Sequence, residues 1–266
     1  MMVGRKFLMI VVCVVMSFCA LGNKNIESLD RQMFVLEGNT GAGKSTLLRI
    51  IKANLPVDVI LEPVDKWQAV VAGGNLFDLF FKDPKRWAMT FQSYVLVSRL
   101  QAILDHQKSS PTDIPQVLER SVYCDCFCFA KNCYESGFMS AIEWQVYSEW
   151  FSLLIKNYTQ KPSGFIYLRA SPQVCFERVQ KRARSEEANF NLEFLTTLHK
   201  RHEDWLIYKV DLPEYLKEVP VLIVDCDLEF EQDDQRRAQV IKEIANFINA
   251  TSIKNVGSSG CPQVIA

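Results

Sequence analysis

A glycine-rich segment at residues 38–46 constrains the fold of this chain more than any other feature. The segment, GNTGAGKST, matches the pattern G-x-x-x-x-G-K-[S/T] at every fixed position. An apolar run at 33–36 precedes it and predicts a buried strand, and residues 47–55 after it predict a helix. Between a strand and a helix, this pattern wraps backbone N–H groups around phosphate oxygens, and the helix N-terminus adds partial positive charge. The segment therefore predicts that the chain binds a nucleoside triphosphate.

Each residue type in this phosphate-binding loop has an expected task. Lys44 is predicted to reach the β- and γ-phosphates, and the Ser45 hydroxyl is predicted to ligate Mg²⁺. The whole loop is predicted to contact the triphosphate, namely Gly38, Asn39, Thr40, Gly41, Ala42, Gly43, Lys44, Ser45 and Thr46.

Strand and helix patterns alternate along the rest of the chain. Short apolar runs predict five strands, at 33–36, 57–61, 116–118, 164–168 and 220–224. Helical patterns separate these runs. The alternation predicts an α/β fold of the P-loop NTPase type, with a doubly wound, parallel, five-stranded sheet and flanking helices.

Length, charge and cysteine content limit the other possibilities. The 266 residues suit one large domain, and the net charge of −1 offers no basic excess for a polynucleotide partner. Four of the nine cysteines, at 124, 126, 128 and 133, lie in one apolar segment without C-x-x-C spacing. We interpret them as reduced core residues rather than as a metal or disulfide site.

Polar residues follow the second and third predicted strands directly. Glu62 comes after residues 57–61, and Glu119 and Arg120 come after residues 116–118. In a parallel sheet these positions lie near the phosphate-binding loop. A carboxylate there can accept a hydroxyl proton or hold Mg²⁺, and an arginine can stabilise transferring phosphoryl oxygens. The combination favours a phosphoryl-transfer site.

Four further motifs follow the loop along the sequence. They are EPVDKW at 62–67, WAMTFQSY at 87–94, ERSVYCD at 119–125 and RARSEE at 182–187. Together with the loop, they resemble the deoxyribonucleoside kinases over about residues 33–247. Within that family the chain most resembles the deoxyguanosine branch and next the deoxycytidine branch, and residues 164–175 and 198–207 in particular are similar to the deoxyguanosine branch.

The resemblance implies a reaction and roles for the residues around the loop. The γ-phosphate of ATP would pass to the 5′-hydroxyl of a deoxynucleoside in nucleotide salvage. Glu62 would act as the general base, and Glu119 would hold Mg²⁺ together with Ser45. Arg120 would join Lys44 beside the transferring phosphate.

The resemblance also implies a lid and an assembly state. Arg182 and Arg184 correspond to lid arginines that contact the ATP phosphates, and Arg178 would stack on the adenine. A closed lid excludes water, so that the phosphate goes to the nucleoside rather than to hydrolysis. The resemblance also implies that two copies of this chain form a homodimer.

The nucleoside site follows from the same resemblance. Gln92 would hold the base edge with its amide, and Phe91 and Phe129 would enclose the ring. Arg99 and Asp125 would select the base, because thymidine-preferring members of the family have uncharged residues there. The two charges favour deoxyguanosine first, together with deoxyadenosine and deoxycytidine, over thymidine.

One position departs from the family pattern. Phe81 stands where the family usually has a tyrosine whose hydroxyl binds the sugar 3′-hydroxyl with a lid glutamate. Glu187 supplies that glutamate, but Phe81 supplies only a ring. We therefore expect weaker sugar selection rather than an inactive enzyme.

Two other functions fit parts of the pattern. A nucleoside monophosphate kinase would share the loop but would need arginines for a second phosphate. A non-catalytic nucleotide-binding scaffold would tolerate loss of Glu62, Arg120 or the lid arginines, all of which are present. The residues favour the deoxynucleoside kinase over both alternatives.

The termini lie outside the predicted kinase domain at residues 31–250. Residues 7–21 carry no charge and follow Arg5 and Lys6, as in a secretory signal, but they are shorter than a spanning helix. Because the enzyme needs ATP, we expect it in the cytoplasm, with residues 1–30 as a cleaved segment, an anchor or an overextended start. Membrane contact is expected only through residues 7–21, and a chain starting at Met33 is expected to be active. Residues 251–266 are predicted to be a flexible tail.

Overall fold

A computed structural model of the protein describes residues 31–70, 74–109, 114–187 and 190–257. From Gln32 onward the described chain forms a single unit. The predicted N-terminal segment, including residues 7–21, and residues 258–266 of the predicted tail lie outside the described residues.

The centre of the fold is a five-stranded sheet in which every pair of neighbouring strands is parallel. The strand order is β2-β3-β1-β4-β5, so the strand before the phosphate-binding loop lies in the middle. This confirms the predicted doubly wound parallel sheet. The strands are β1 (Met33–Gly38), β2 (Asp58–Ile60), β3 (Gln116–Glu119), β4 (Gly164–Arg169) and β5 (Val221–Asp225).

Eleven α-helices flank the sheet in the described part of the chain. They are α1 (Lys44–Asn54), α2 (Val64–Gln68), α3 (Leu76–Lys82), α4 (Pro84–Ser109), α5 (Val122–Cys124), α6 (Lys131–Glu135), α7 (Ala141–Tyr158), α8 (Pro172–Arg182), α9 (Leu192–His202), α10 (Glu214–Lys217) and α11 (Asp234–Gly257). Two π-helical segments, Asp125–Ala130 and Glu203–Ile207, continue α5 and α9, and a short 3₁₀ turn spans Ser185–Glu187.

Most helix predictions agree with the structure, with differences at the ends. The helical pattern of the sequence predicts a helix over 126–134. In the structure this helix begins earlier, at Val122, and passes through the first π-helical segment. The pattern of the last helix predicts an end at Asn249, whereas the helix runs to Gly257. The short helices α2 and α10 were not predicted, because elements of four or five residues carry too little periodic pattern.

The sheet is buried on both faces. Side chains of β1 alternate between two apolar clusters, with Phe34 and Leu36 on one side and Val35 on the other. Leu47 of α1 and Ile244 of α11 belong to the first cluster. The second cluster includes residues of α4 and α7. A central parallel strand covered by helices on both faces reads as a continuous apolar run, which is why residues 33–36 lacked polar alternation.

The parallel arrangement brings three strand ends to one edge of the sheet. The phosphate-binding loop follows β1, Glu62 lies two residues beyond β2, and Glu119 ends β3. The strands that follow β1 in the sequence lie on both sides of it, with β2 and β3 on one side and β4 and β5 on the other. This change of direction opens a crevice at this edge of the sheet. No helix in the described part of the chain is both long enough and apolar enough to cross a membrane.

Candidate active site

The phosphate-binding loop turns between β1 and α1 with backbone angles that favour glycine. Gly41 has φ of 87° and Gly43 has φ of 98°. A Cβ atom at Gly41 would lie 2.4 Å from the carbonyl oxygen of Cys175, so no larger residue fits against α8. These glycines let the loop backbone stay close to the neighbouring helix while it curves around the crevice.

Lys44 folds back over the loop from the start of α1. Its amino group donates to the carbonyl oxygens of Gly38 and Asn39 at 3.0 and 2.8 Å. Burial, and next the positive charge of Arg120, lower the pKa of Lys44 to about 8. The amino group is thus held at the mouth of the loop, where an anionic ligand would favour its charged form.

The loop residues divide into those that face the cleft and those that support the loop. Six line the cleft, namely Thr40, Gly41, Gly43, Lys44, Ser45 and Thr46. Asn39 supports the loop from behind, because its side chain donates to the Leu195 carbonyl at 2.8 Å and accepts from the Thr40 N–H at 2.8 Å. Gly38 and Ala42 are not among the lining residues, and Ala42 is fully buried.

Ser45 and Glu119 form a pair of oxygen donors beside the loop. The Ser45 hydroxyl donates to Glu119 Oε1 at 2.7 Å, and the Glu62 N–H approaches Glu119 Oε2 at 3.4 Å. A hydroxyl and a carboxylate are ligands of the kind that Mg²⁺ prefers. The residues predicted to hold the metal are therefore close together and chemically suited to it.

Glu62 lies between two arginines. Its Oε1 accepts from the Arg99 guanidinium at 2.7 Å and lies 3.5 Å from Nε of Arg120. Burial alone would raise the pKa of Glu62, but the charges of Arg99 and Arg120 outweigh burial and hold it below its ordinary value. Glu62 is consequently an ionised carboxylate at neutral pH, the form that a general base requires.

Arg120 adopts a backbone conformation that is uncommon for a residue with a side chain. Its φ is 61°, and its N–H donates to the Leu36 carbonyl of β1 at 3.0 Å. The guanidinium lies over the Phe129 ring, 4.8 Å from the centroid. A strained conformation held by the central strand is typical of functional sites, where it aims a side chain. Here it aims Arg120 into the cleft beside Glu62.

Arg99 and Asp125 form a buried, bidentate ion pair. Nε of Arg99 donates to Asp125 Oδ2 at 2.6 Å, and a terminal nitrogen donates to Oδ1 at 3.0 Å. The third nitrogen donates to the Glu119 carbonyl at 2.9 Å. Asp125 lines the cleft, whereas Arg99 does not. The predicted roles of Arg99 and Asp125 beside the base stay predictions; in the structure Arg99 holds the carboxylates of Asp125 and Glu62.

Gln92 has an unused hydrogen-bonding atom inside the cleft. The residue is 2 % exposed, its Nε2 contacts the Cys133 sulfur at 3.6 Å, and its Oε1 has no partner. A buried amide oxygen without a partner is costly unless a ligand satisfies it. Phe91 and Phe129 line the same cleft. The residues predicted to bind the base therefore lie in one cleft, and the side-chain oxygen of Gln92 lacks a hydrogen-bond partner.

The predicted sugar and lid residues also meet at the cleft. Glu187 accepts from Arg182 at 2.5 Å and lies 3.6 Å from Arg184. Phe81 packs against Phe190, with ring centroids 4.8 Å apart. Arg178 lines the cleft and donates to the Cys226 carbonyl at 2.8 Å. The lid carboxylate is thus already engaged by the two arginines expected to bind phosphate.

All of these features belong to one cleft of about 1290 Å³. Sequence reasoning missed Trp67, Phe77, Phe80 and Cys133 as parts of its wall. The position of Phe77 and Phe80 on α3 beside Phe81 was a usable signal. Cys133 carried none, because nothing in its spacing distinguishes it from other buried cysteines.

Comparisons with known proteins support the family indicated by this geometry. A family model described as deoxynucleoside kinase matches residues 34–249. The chain is 39% identical to deoxycytidine kinase 2 of Gallus gallus over 241 residues, which cover 81% of this chain and 89% of that protein. It is 35% identical to the mitochondrial deoxyguanosine kinase of Xenopus laevis, covering 80% and 88%, and 35% identical to human deoxycytidine kinase, covering 80% and 90%.

The family match spans the sheet, the phosphate-binding loop and every predicted site residue. It supports a deoxynucleoside kinase over the two alternatives that the sequence left open, a nucleoside monophosphate kinase and a non-catalytic scaffold. The chain belongs to the deoxynucleoside kinase family and is an ATP-dependent kinase of nucleotide salvage.

Proposed function

We propose that this kinase phosphorylates the 5′-hydroxyl of deoxynucleosides whose base carries an exocyclic amine, namely deoxyguanosine, deoxyadenosine and deoxycytidine, in preference to thymidine. The proposal rests on the presence of two hydrogen-bond acceptors in one cleft. Gln92 Oε1 has no hydrogen-bond partner, and the Asp125 carboxylate lines the same cleft. An amine can donate to either acceptor, whereas thymine offers carbonyl oxygens in their place. The priority of deoxyguanosine rests on the resemblance of residues 164–175 and 198–207.

Glu62 would take the proton from the 5′-hydroxyl as that oxygen attacks the γ-phosphate. The carboxylate is ionised, and Arg99 fixes its orientation through a 2.7 Å hydrogen bond. Arg120, 3.5 Å from the same oxygen, would stabilise charge on the transferring phosphoryl group. The γ-phosphoryl group passes from ATP to the 5′-oxygen and ADP is the leaving group, while the proton of the 5′-hydroxyl passes to Glu62.

Ser45 and Glu119 would hold Mg²⁺ with the phosphates of ATP. The bound ion would neutralise charge on the β- and γ-phosphates. The 2.7 Å contact between the two side chains supports this assignment, because both are oxygen donors of the preferred kind.

The segment that carries Arg182, Arg184 and Glu187 would close over the reacting groups. Glu187 would bind the sugar 3′-hydroxyl, and the two arginines would bind ATP phosphates. Their present contacts with Glu187 support a shared position at the cleft. Arg178, which also lines the cleft, would contact the adenine.

The homodimer and the cytoplasmic location stay predictions. Two large apolar side chains on α7, Ile142 and Leu153, are exposed. Sedimentation of the purified chain at several concentrations tests the dimer, which is expected to persist at micromolar concentration.

A coupled assay of ADP release with four deoxynucleosides tests the proposed substrates. Deoxyguanosine, deoxyadenosine and deoxycytidine are expected to have higher kcat/KM than thymidine, and deoxynucleoside monophosphates are expected to be poor acceptors. A Lys44→Ala variant provides the background rate. A wild-type preference for thymidine would refute the proposed base selection.

A further inference from the structure

Three soft or borderline metal ligands converge in the core behind the active site. Cys124, Cys128 and His202 are completely buried, and their ligand atoms all lie within 4.8 Å of one another. Cys124 Sγ and His202 Nε2 are 3.6 Å apart. Zinc–ligand bonds of about 2.0–2.3 Å in a tetrahedron place ligand atoms roughly 3.5–3.8 Å apart. The cluster therefore has nearly the spacing of a tetrahedral site.

We propose that these three side chains bind a Zn²⁺ ion. This assignment differs from the sequence-based interpretation of Cys124 and Cys128 as ordinary core residues. The spacing of the cysteines lacks C-x-x-C, and His202 lies 78 residues from Cys124 along the chain. Only the fold brings the ligands together.

His202 has the tautomer and orientation of a metal ligand. Its Nδ1 lies 2.7 Å from the Leu198 carbonyl oxygen, one turn earlier on α9. A carbonyl can only accept, so Nδ1 carries the hydrogen and Nε2 presents its lone pair toward Cys124. Zinc-bound histidines commonly donate their second ring N–H to a carbonyl in this way.

Both π-helical segments begin beside the cluster. One starts at Asp125, directly after Cys124, and contains Cys128. The other starts at Glu203, directly after His202. Single π-helical turns interrupt α-helices mostly where a function requires a shifted side chain. Here they accompany the convergence of the three ligands.

Glu37 supplies an acceptor that no protein group uses. This residue of β1 is completely buried, and its Oε2 has no hydrogen-bond partner. Its Oε1 accepts from the Ser121 hydroxyl at 2.5 Å, and that hydroxyl accepts from the Cys124 N–H at 3.2 Å. Ser121 thus links Glu37 to the backbone of Cys124. Glu37 does not belong to the group of ligand atoms within 4.8 Å of one another, so its carboxylate lies beside the cluster rather than in it.

The surrounding charges favour zinc. Two thiolates carry two negative charges, which Zn²⁺ offsets, and the Arg120 guanidinium lies 3.5 Å from Cys124 Sγ. Mixed sulfur and imidazole ligation suits Zn²⁺, whereas Cu(I) prefers sulfur alone. Because the site is enclosed, the ion would be taken up during folding.

Metal content of the full chain tests the proposal. Protein produced in zinc-supplemented medium and passed through metal-free buffer is expected to retain about one zinc per chain by plasma mass spectrometry. Cys128→Ala is expected to lose at least nine tenths of that zinc. The matched control is Cys126→Ala, because Cys126 is equally buried in the same segment but does not belong to the cluster.

Two further measurements keep the test informative if Cys128→Ala folds poorly. Wild-type protein produced with cobalt in place of zinc is expected to show thiolate-to-cobalt charge-transfer absorption. His202→Gln, which removes the imidazole ligand, is expected to release zinc to a chelator more readily than wild type. Folded wild-type protein without zinc and without the cobalt band would overturn the proposal, leaving a hydrogen-bonded cluster only. Equal zinc loss in Cys126→Ala would also overturn it.

Discussion

Glu62 depends on two arginines that come from different elements, Arg99 on α4 and Arg120 after β3. Because the carboxylate would act as the general base, we expect Glu62→Gln to retain ATP binding but to lose about 10²- to 10⁴-fold in kcat. Rapid-quench measurement of phosphoryl transfer, alongside an ATP titration, checks both parts. Glu149→Gln, an exposed change on α7, is the control and should be neutral. Near wild-type kcat in Glu62→Gln would remove Glu62 from the mechanism.

Lys44 gives a pH dependence whose sign follows from its lowered pKa. Burial and Arg120 bring that pKa to about 8, so the free enzyme loses this charge above about pH 8. ATP requires the charged amine, and binding above that pH must therefore take up a proton. The Kd for ATP should rise by up to about tenfold per pH unit above pH 8 and stay flat below it.

An ATP titration at pH values from neutral to alkaline checks this expectation. Lys44→Ala should bind ATP weakly with little pH dependence, because the titrating group is absent. A wild-type affinity that stays constant across the alkaline range would contradict the assignment.

At the scale of elements, the Arg99–Asp125 pair joins α4 to the first π-helical segment. Asp125 retains acceptor capacity toward the cleft, and a base without an amine would leave this acceptor facing another acceptor. Such a mismatch costs roughly 1–3 kcal/mol, or about 5- to 150-fold in kcat/KM. We expect Arg99→Met with Asp125→Ala to shift the ratio of thymidine to deoxyguanosine kcat/KM upward by that factor.

The ratio is the required readout, because losing Arg99 also disturbs Glu62 and lowers kcat for every substrate. Arg99→Met alone leaves Asp125 buried without its partner, which typically costs about 3–5 kcal/mol. Urea unfolding should therefore show that the double variant is more stable than Arg99→Met. An unchanged substrate ratio in the double variant would refute the role of the pair in base selection.

The end of α3 offers a second test at this scale. Phe81 lines the cleft and packs on Phe80 and Phe190, so its ring is already in position. Phe81→Tyr would add a hydroxyl that can bond the sugar 3′-hydroxyl, worth about 1 kcal/mol. We expect an approximately fivefold lower KM for deoxyguanosine. The KM of a 3′-deoxy analogue should not change, and an equal gain for that analogue would contradict the explanation.

At the scale of the whole molecule, the described residues that line the cleft run from Thr40 to Glu231. The Gln32 carbonyl accepts from the Gln116 N–H at 2.8 Å, so a shortened chain should retain Gln32 as well as the predicted start at Met33. We expect a chain beginning at Gln32 to fold and to match the full chain in kcat and Tm. Loss of turnover or a lower Tm would show that residues upstream of Gln32 contribute to the domain.

The sequence by itself determined the sheet class, the triphosphate loop and the family. These features are local or periodic: apolar runs predict β1 to β5, and the loop needs glycines and Lys44 at fixed spacing. Glu62 and Glu119 could be predicted for a related reason, since parallel strands present their carboxyl ends at a single edge of the sheet.

Only the tertiary structure decided which side chains touch. The Arg99 guanidinium, which we expected beside the base, donates to the carboxylates of Asp125 and Glu62. The side-chain oxygen of Gln92 has no hydrogen-bond partner. Cys124 and His202 are in contact although 78 residues separate them in the sequence. Such contacts depend on how helices pack on the sheet and on local π-helical turns, and neither leaves a periodic pattern in the sequence.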